Sequence, residues 1–481
     1  MDKKLVRNYI YNILYQLVKI ILPLVIIPYT YAHLTPAVVG ISDYAGSVMQ
    51  WFILFGILGV NTYGNREISK VRNDQDKLNR TFFEILYMQM ADMVIAAAAY
   101  YIFISFAITE NLMIFRLTGF TMLASMLDIS WFFYGVEDFK KASIRNIVVK
   151  CLGTGLIFLL CKTPADLWKF VLINAGSELF GQFIMFFQLR QYITFEKVSL
   201  TDAYRHHFKP TFQLFIPTIA ISVYTMLDRT MVGALYNEEH LSYYKTSIGF
   251  VQMFLYFITS IGAVVLPRIT NVFYNEEGGE EKAKNLIKTT MKIALMLSVP
   301  MCLGMVAIAD SFISWYLPTA PIVADLIRFG SPIIIFISMS NVTGIQYLVP
   351  TGMYTQYTIS VVTGSVVNFI INSLLIPRYG AYGAITGSVI AEFCVTCVQL
   401  AFVYRKAHIR FFDRSYVIYV IGAAVMMAAV MAVVRVLPVN IAGTVLSIFA
   451  GMIVYFIILY VSKEDLCMKV MGMIRRRKAN A

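Results

Sequence analysis

Apolar runs of about twenty residues recur along the 481-residue chain, separated by short polar stretches. A helix of that length rises about 30 Å, the thickness of a bilayer's hydrocarbon core. The pattern predicts spans at roughly 10 to 33, 42 to 64, 82 to 107, 112 to 135, 146 to 160, 168 to 188, 211 to 235, 243 to 267, 289 to 310, 325 to 349, 357 to 376, 382 to 404, 416 to 436 and 442 to 461. That makes about fourteen transmembrane helices. Hydrocarbon offers backbone groups no partners, so a span must be a helix or a closed barrel, and these runs lack the alternating polarity of barrel strands. The expected fold class is all-α, a polytopic integral membrane protein.

Composition agrees, with 58% hydrophobic and only 14% charged residues. The net charge of +12 matters for its distribution rather than as a signal of nucleic acid, which is not an expected partner. Basic connections, such as Arg66 to Arg80, Lys140 to Arg145, Arg190 to Lys209 and Arg268 to Lys288, alternate with short, nearly uncharged ones such as His33 to Ile41 and Pro438 to Ile441. The positive-inside rule then places both termini in the cytoplasm. A cleavable signal peptide is not expected, because the first apolar run is too long and contains Lys19, Pro23 and Pro28.

The six cysteines are scattered, and the Cys394 to Cys397 pair sits inside an apolar helix without visible partners. His33, His206, His207, His240 and His408 lie in or near loops, so no metal site is expected, and no cofactor. Outer connections are too short to assemble a glycosyltransferase, polymerase or ligase site, and no phosphate-binding glycine loop occurs. The chain is therefore read as a transporter rather than an enzyme.

Two echoes suggest an internal repeat of six helices. Glu178 on helix 6 and Glu392 on helix 12 each precede a basic exit by about four turns, and Arg66 after helix 2 echoes Arg268 after helix 8. The expected organisation is a lobe over 1–205, a second lobe over 206–410, and helices 13 and 14 with a basic tail over 411–481. Parallel repeats of this kind place a substrate site at their interface, with rocking of the halves giving alternating access.

Polar residues inside the spans are the site candidates, since a mid-membrane charge is expensive and usually faces a bundle interior or a wet cavity. Helix 1 carries Asn8, Asn12, Tyr15, Gln16 and Lys19 along one side, and helix 2 carries Asp43, Ser47 and Gln50. Helix 7 carries Thr218, Ser222, Thr225 and the pair Asp228, Arg229; helix 8 carries Lys245, Gln252, Tyr256 and Ser260. Lys19, Arg229 and Lys245 would give such a cavity the positive charge that suits an anionic, hydroxyl-rich head group. Pairing of Asp228 with Arg229, or Asp43 with Lys245, is the structural alternative. Glu178 and Glu392 are ion-coupling candidates, with a hinge contact or a local hydrogen-bond network as other uses. Asp92, Asp128 and Lys150 are better read as salt-bridge partners.

Two blocks carry a family resemblance. Residues 28–72, with Gly40, Gly59 and the run Tyr63-Gly64-Asn65-Arg66-Glu67-Ile68-Ser69-Lys70, resemble the opening of the polysaccharide transporters, the Wzx-type flippases of lipid-linked oligosaccharide repeat units. Residues 224–270, with Asp228, Arg229, Gly233, Tyr244 and Leu266-Pro267-Arg268, are similar to that family's seventh and eighth helices. The loop from Leu34 to Gly40 departs from the family's usual form by lacking its first glycine and its aromatic residue.

The likeness spans about the first 400 residues. It implies the two-lobed fold of the multidrug, oligosaccharidyl-lipid and polysaccharide exporter superfamily, in the bacterial cytoplasmic (inner) membrane. It also implies flipping of an undecaprenyl-diphosphate-linked oligosaccharide to the outer leaflet for surface polysaccharide biosynthesis. The implied partners are that polyprenyl diphosphate and membrane lipid, with a polysaccharide polymerase and glycosyltransferases as protein candidates. An ion-coupled drug or metabolite exporter of the same superfamily is the alternative, and it calls for a net acidic cavity.

Overall fold

The computed structural model describes residues 3–469, 471 and 472, without the side chains of 3–13, 15, 16, 216–218, 220, 221, 223–225, 261, 263 and 264. Among the described residues all regular structure is helical. The helical runs follow the predicted spans in order. They are α1 Lys3–His33, α2 Pro36–Val71, α3 Gln75–Ala107, α4 Leu112–Gly135, α5 Phe139–Leu160, α6 Pro164–Leu189 and α7 Lys209–Leu235. After these come α8 Glu238–Asn275, α9 Gly279–Tyr316, α10 Ile322–Leu348, α11 Tyr354–Tyr379, α12 Ala381–Ala407, α13 Arg414–Val436 and α14 Ile441–Val461. Among the described residues twelve are long and apolar enough to cross a bilayer; in α1 the apolar stretch is the shorter Leu17–His33, and α7 covers the seventh predicted span.

Several edges differ from the hydropathy pattern. Arg268 to Lys288, expected as a connection, is mostly helix, because α8 runs to Asn275 and α9 begins at Gly279. Hydropathy falls where charges begin, whereas backbone hydrogen bonding continues into water when those charges pair along the helix. Here Lys284 reaches Glu280 at 2.7 Å, one turn back, and Lys282 reaches Glu276 across the turn at 2.8 Å. Gly278 makes the turn with φ of 66°, and a Cβ on Gly279 would lie 2.2 Å from the Val272 carbonyl oxygen. Likewise α2 reaches Val71, and α3 starts behind Asp74, whose carboxylate accepts from the Lys77 N–H at 3.2 Å.

Three runs are composite. In α2 the chain turns left-handed at Leu58 and Gly59 between Pro36–Ile57 and Val60–Val71. The shorter helices of α4 are Leu112–Thr118, Phe120–Met126 and Ser130–Gly135, the last led by Asp128, which accepts from the Ser130 N–H at 2.9 Å. In α10 the last stretch, Asn341–Leu348, is wound as a π-helix, a widening often found where side chains have work to do.

The chain forms two compact units, Met1–Ser242 and Tyr243–Ala481. In the first, α2 packs on α3 and α7, α1 packs on α5, and α6 packs on α4 and α5. One core gathers Phe82, Trp131 and Phe132; another gathers Ala45, Met49, Met93 and Tyr100. In the second unit α12 packs on α10 and α11, and α13 and α14 pack on α9 through Met291, Ala294, Leu295 and Val299. Lipid supplies no hydrophobic drive between helices, so these contacts rest on close packing and interhelical hydrogen bonds.

Candidate functional site

Asp43 lies about two turns into α2 on a face that is open. Gly46, one turn on, has nothing within 4 Å of an added Cβ, and Gln50 is exposed, while Ala45, Val48 and Met49 on the other side are buried. Ser47 donates to the Tyr44 carbonyl at 2.8 Å. Of the predicted polar stripe of α2, Gln50 is exposed, Asp43 is half-buried and Ser47 is buried.

α7 lies along α2 at van der Waals contact. The Trp51 indole N–H donates to Thr230 Oγ1 at 2.9 Å, a Cβ on Gly233 would sit 2.3 Å from the Tyr44 ring, and one on Gly40 would sit 2.0 Å from the Glu238 carbonyl oxygen. Phe215 of α7 packs on Phe55 and against the left-handed Gly59. On α7 Asp228 is buried and its neighbour Arg229 is half-buried. Lys19 is exposed on α1 and feels the like charge of Lys150 on α5. Asn12 and Gln16, with Asn8, Tyr15, Thr218, Tyr224 and Thr225, fall outside the described side chains.

In the second unit, Lys245, Gln252 and Tyr256 share one face of α8 with Gly249, which has nothing within 4 Å of an added Cβ. Tyr256 is 60% exposed, and Ser260, a turn further, closes on the Phe257 carbonyl at 2.7 Å. This stripe too is open. The two ion-coupling candidates differ in setting, since Glu178 is exposed on α6 and Glu392 is buried on α12, which packs on α10 and α11.

Asp92 and Asp128, expected to join salt bridges, take hydroxyl partners instead: Tyr204 donates to Asp92 at 2.5 Å, and Ser130 donates to Asp128. The hydroxyls reach these carboxylates from the connection after α6 and from the start of the Ser130–Gly135 helix, positions that span hydropathy does not reveal.

Several polar groups were not singled out by the sequence. Arg145, counted with a basic connection, is buried in α5, where its guanidinium donates to Gln182 at 3.1 Å and Gly181 leaves it room. In the second unit Thr343 donates to Gln399 at 2.7 Å and Gln399 donates to Ser360 at 3.0 Å. Asn368 and Asn372 are fully buried on α11. A third group joins Tyr63, Glu84 and His207 in the first unit, and its members lie 123 and 144 positions from His207, too far apart for a spacing rule. The run Tyr63 to Lys70 and the adjacent His206 and His207 were the available signals.

The profile of the family described as polysaccharide biosynthesis protein matches residues 5–273. An Escherichia coli (strain K12) protein named as a candidate O-antigen transporter is 22% identical over 402 residues, 82% of this chain and 96% of that protein. Among solved structures, the lipid II flippase MurJ in its inward closed conformation superposes with a TM-score of 0.74 at 14% identity, covering 96% of this chain and 99% of that one. An outward-facing multidrug resistance transporter of the MATE family gives 0.54 at 12% identity, covering 84% and 96%. Fold, membrane helices and family profile agree, and the chain belongs to the polysaccharide biosynthesis protein family.

Proposed function

We propose that the protein flips a polyprenyl-diphosphate-linked oligosaccharide across the bacterial cytoplasmic membrane, from the cytoplasmic to the outer leaflet, by alternating access. The observation that carries the proposal is likeness along nearly the whole length of both an O-antigen transporter candidate and a lipid II flippase fold. The lobes over 1–205 and 206–410 would rock, with 411–481 accompanying the second.

Lys19, Arg229 and Lys245 are assigned to the diphosphate, which guanidinium and ammonium groups hold by charge-assisted hydrogen bonds. Asp43, Gln252 and Tyr256, on open faces of their helices, are assigned to the sugars together with Asn12 and Gln16, and Asp228 orients Arg229. Glu178 and Glu392 are assigned to ion coupling. Both termini are placed in the cytoplasm on the charge pattern. The exposure of Lys245 and Tyr256 on α8, and of Gln50 on α2, supports this assignment.

The test is flipping of a fluorescent undecaprenyl-diphosphate oligosaccharide in proteoliposomes. Wild type should accelerate the loss of dithionite-protected signal, and Arg229→Ala should slow it at least tenfold while leaving expression unchanged. Wild-type vesicles no faster than empty ones would overturn the function; an unimpaired Arg229→Ala would overturn the head-group assignment.

A further inference from the structure

His207 sits on a single π-turn, Tyr204–Phe208, that leads into α7, and it is buried. Its ring is clamped from two other helices. Nε2 lies 2.8 Å from Glu84 Oε2 on α3, and Nδ1 lies 2.8 Å from the Tyr63 hydroxyl on α2. Glu84 is itself buried, and its other oxygen accepts from the Arg80 Nε–H at 2.9 Å. The Thr211 hydroxyl donates to the His207 carbonyl at 2.6 Å, fixing the turn.

A carboxylate only accepts, so Nε2 carries the proton it gives to Glu84, and Nδ1 is left to accept from Tyr63. Arg80 and Glu84 cancel, and the neutral imidazole is fully satisfied. A second proton on the ring would have to sit on Nδ1, where the Tyr63 O–H now points. The hydroxyl must then reverse, or the ring must leave.

We propose that the Tyr63–His207–Glu84 triad is a proton-binding site: uptake of a proton by His207 releases the leading end of α7 from α2 and α3. Its use as the coupling step of transport rests on the function proposed above; the site itself does not. Burial pushes the His207 imidazole below its ordinary value, against the pull of Glu84. A depressed value means the packed arrangement is favoured above the free value of about 6.5 and loses that advantage as pH falls through the lower, packed one. Acid therefore favours release.

The other charged or titratable groups around the site are Arg66 and Glu67 on α2, Arg80 on α3, His206 beside it, and Asp92 on α3, which accepts from Tyr204 of the same π-turn at 2.5 Å; Arg80 in turn feels Asp202 and Glu196. Arg66 and Glu67 pair with each other at 3.0 Å, so neither holds the ring. His206 Nδ1 is 3.4 Å from Glu84 Oε2, but its side chain is 49% exposed, and it serves as the internal control.

The experiment is hydrogen–deuterium exchange of the full-length protein in nanodiscs, corrected for intrinsic rates, read over 199–212 and 60–68. Between pH 7.5 and pH 5.5 wild-type protection in both segments should fall severalfold, under the roughly tenfold ceiling that one histidine of free value about 6.5 sets over this range. His207→Gln, which keeps a donor toward Glu84 without a titratable ring, should hold its protection at both values. His206→Gln should behave as wild type. Unchanged wild-type protection, or a pH response that survives His207→Gln or vanishes in His206→Gln, would overturn the site.

Should His207→Gln not fold, carbon-13 NMR of histidine-labelled wild type decides. A buried ring titrating below the free value together with loss of protection supports the proposal, and a titration uncoupled from protection refutes it. Exchange needs no substrate. A chain that releases α7 through His207 but moves no lipid-linked glycan would sink the transport reading and leave this one standing.

Discussion

An alanine at position 40 would place its methyl carbon 2.0 Å from the Glu238 carbonyl oxygen, a backbone atom that cannot swing aside. Gly40→Ala should therefore cost about 1 to 3 kcal/mol, in the range of overpacked cores, and lower the melting temperature in detergent by several degrees. Gly249→Ala, with open space around it, should leave the melt unchanged or raise it slightly. Sequence resemblance marks Gly40, Gly59 and Gly233 as motif positions, and only the structure gives the reason: each lets α7 and the chain following it approach α2. The same holds for intramembrane charge. Asp228 and Lys245 were visible as costly residues in apolar runs, but which one turns inward depends on the angular position of a neighbouring helix, which no single run encodes. His207 had only its histidine neighbour to mark it, since a residue in a polar connection carries no insertion cost to flag it.

At the scale of the element, α13 and α14 are built into the second unit. The Trp315 indole donates to Thr444 at 2.9 Å, the Tyr455 hydroxyl donates to the Met296 carbonyl at 3.0 Å, and Tyr419 donates to Glu464 at 2.7 Å. Tyr455→Phe should cost about 0.5 to 1.5 kcal/mol, measured as a lower melting temperature, because one buried hydrogen bond is lost with little change in shape. The start of α13 is pinned by Lys292, 2.6 Å from Asp413. Burial pushes the Asp413 carboxyl up, but its hydrogen bonds to Lys292 and Ser415 prevail and hold it below its ordinary value. That contribution is present above the free value of about 3.9 and fades as pH falls through the depressed one. Asp413→Asn should thus melt earlier than wild type at pH 7, with the difference shrinking toward pH 3. The existence and order of the helices were legible because twenty apolar residues have few other fates. Their ends were not, because α8 and α9 continue on paired charges after hydropathy has dropped.

For the whole molecule, the alternation of basic and neutral connections makes a topological prediction. Single cysteines placed at Glu277 and at Asn440, in a background freed of the native cysteines, should react with a membrane-impermeant maleimide from opposite sides. In intact spheroplasts Asn440→Cys should label, and Glu277→Cys should label only after permeabilisation. The reverse pattern would overturn the placement of the termini. The family was legible in two blocks of sequence, whereas the division of contacts at Ser242 and Tyr243 was not, since it falls inside the continuous helix α8. Helices α8 and α9, at 38 residues each, rise about 57 Å, nearly twice a hydrocarbon core of about 30 Å. The charged turn they share at Glu276 to Gly279 is thus expected to project beyond detergent and lipid, and a rigid scaffold protein or an epitope spliced there should serve as a fiducial for single-particle imaging.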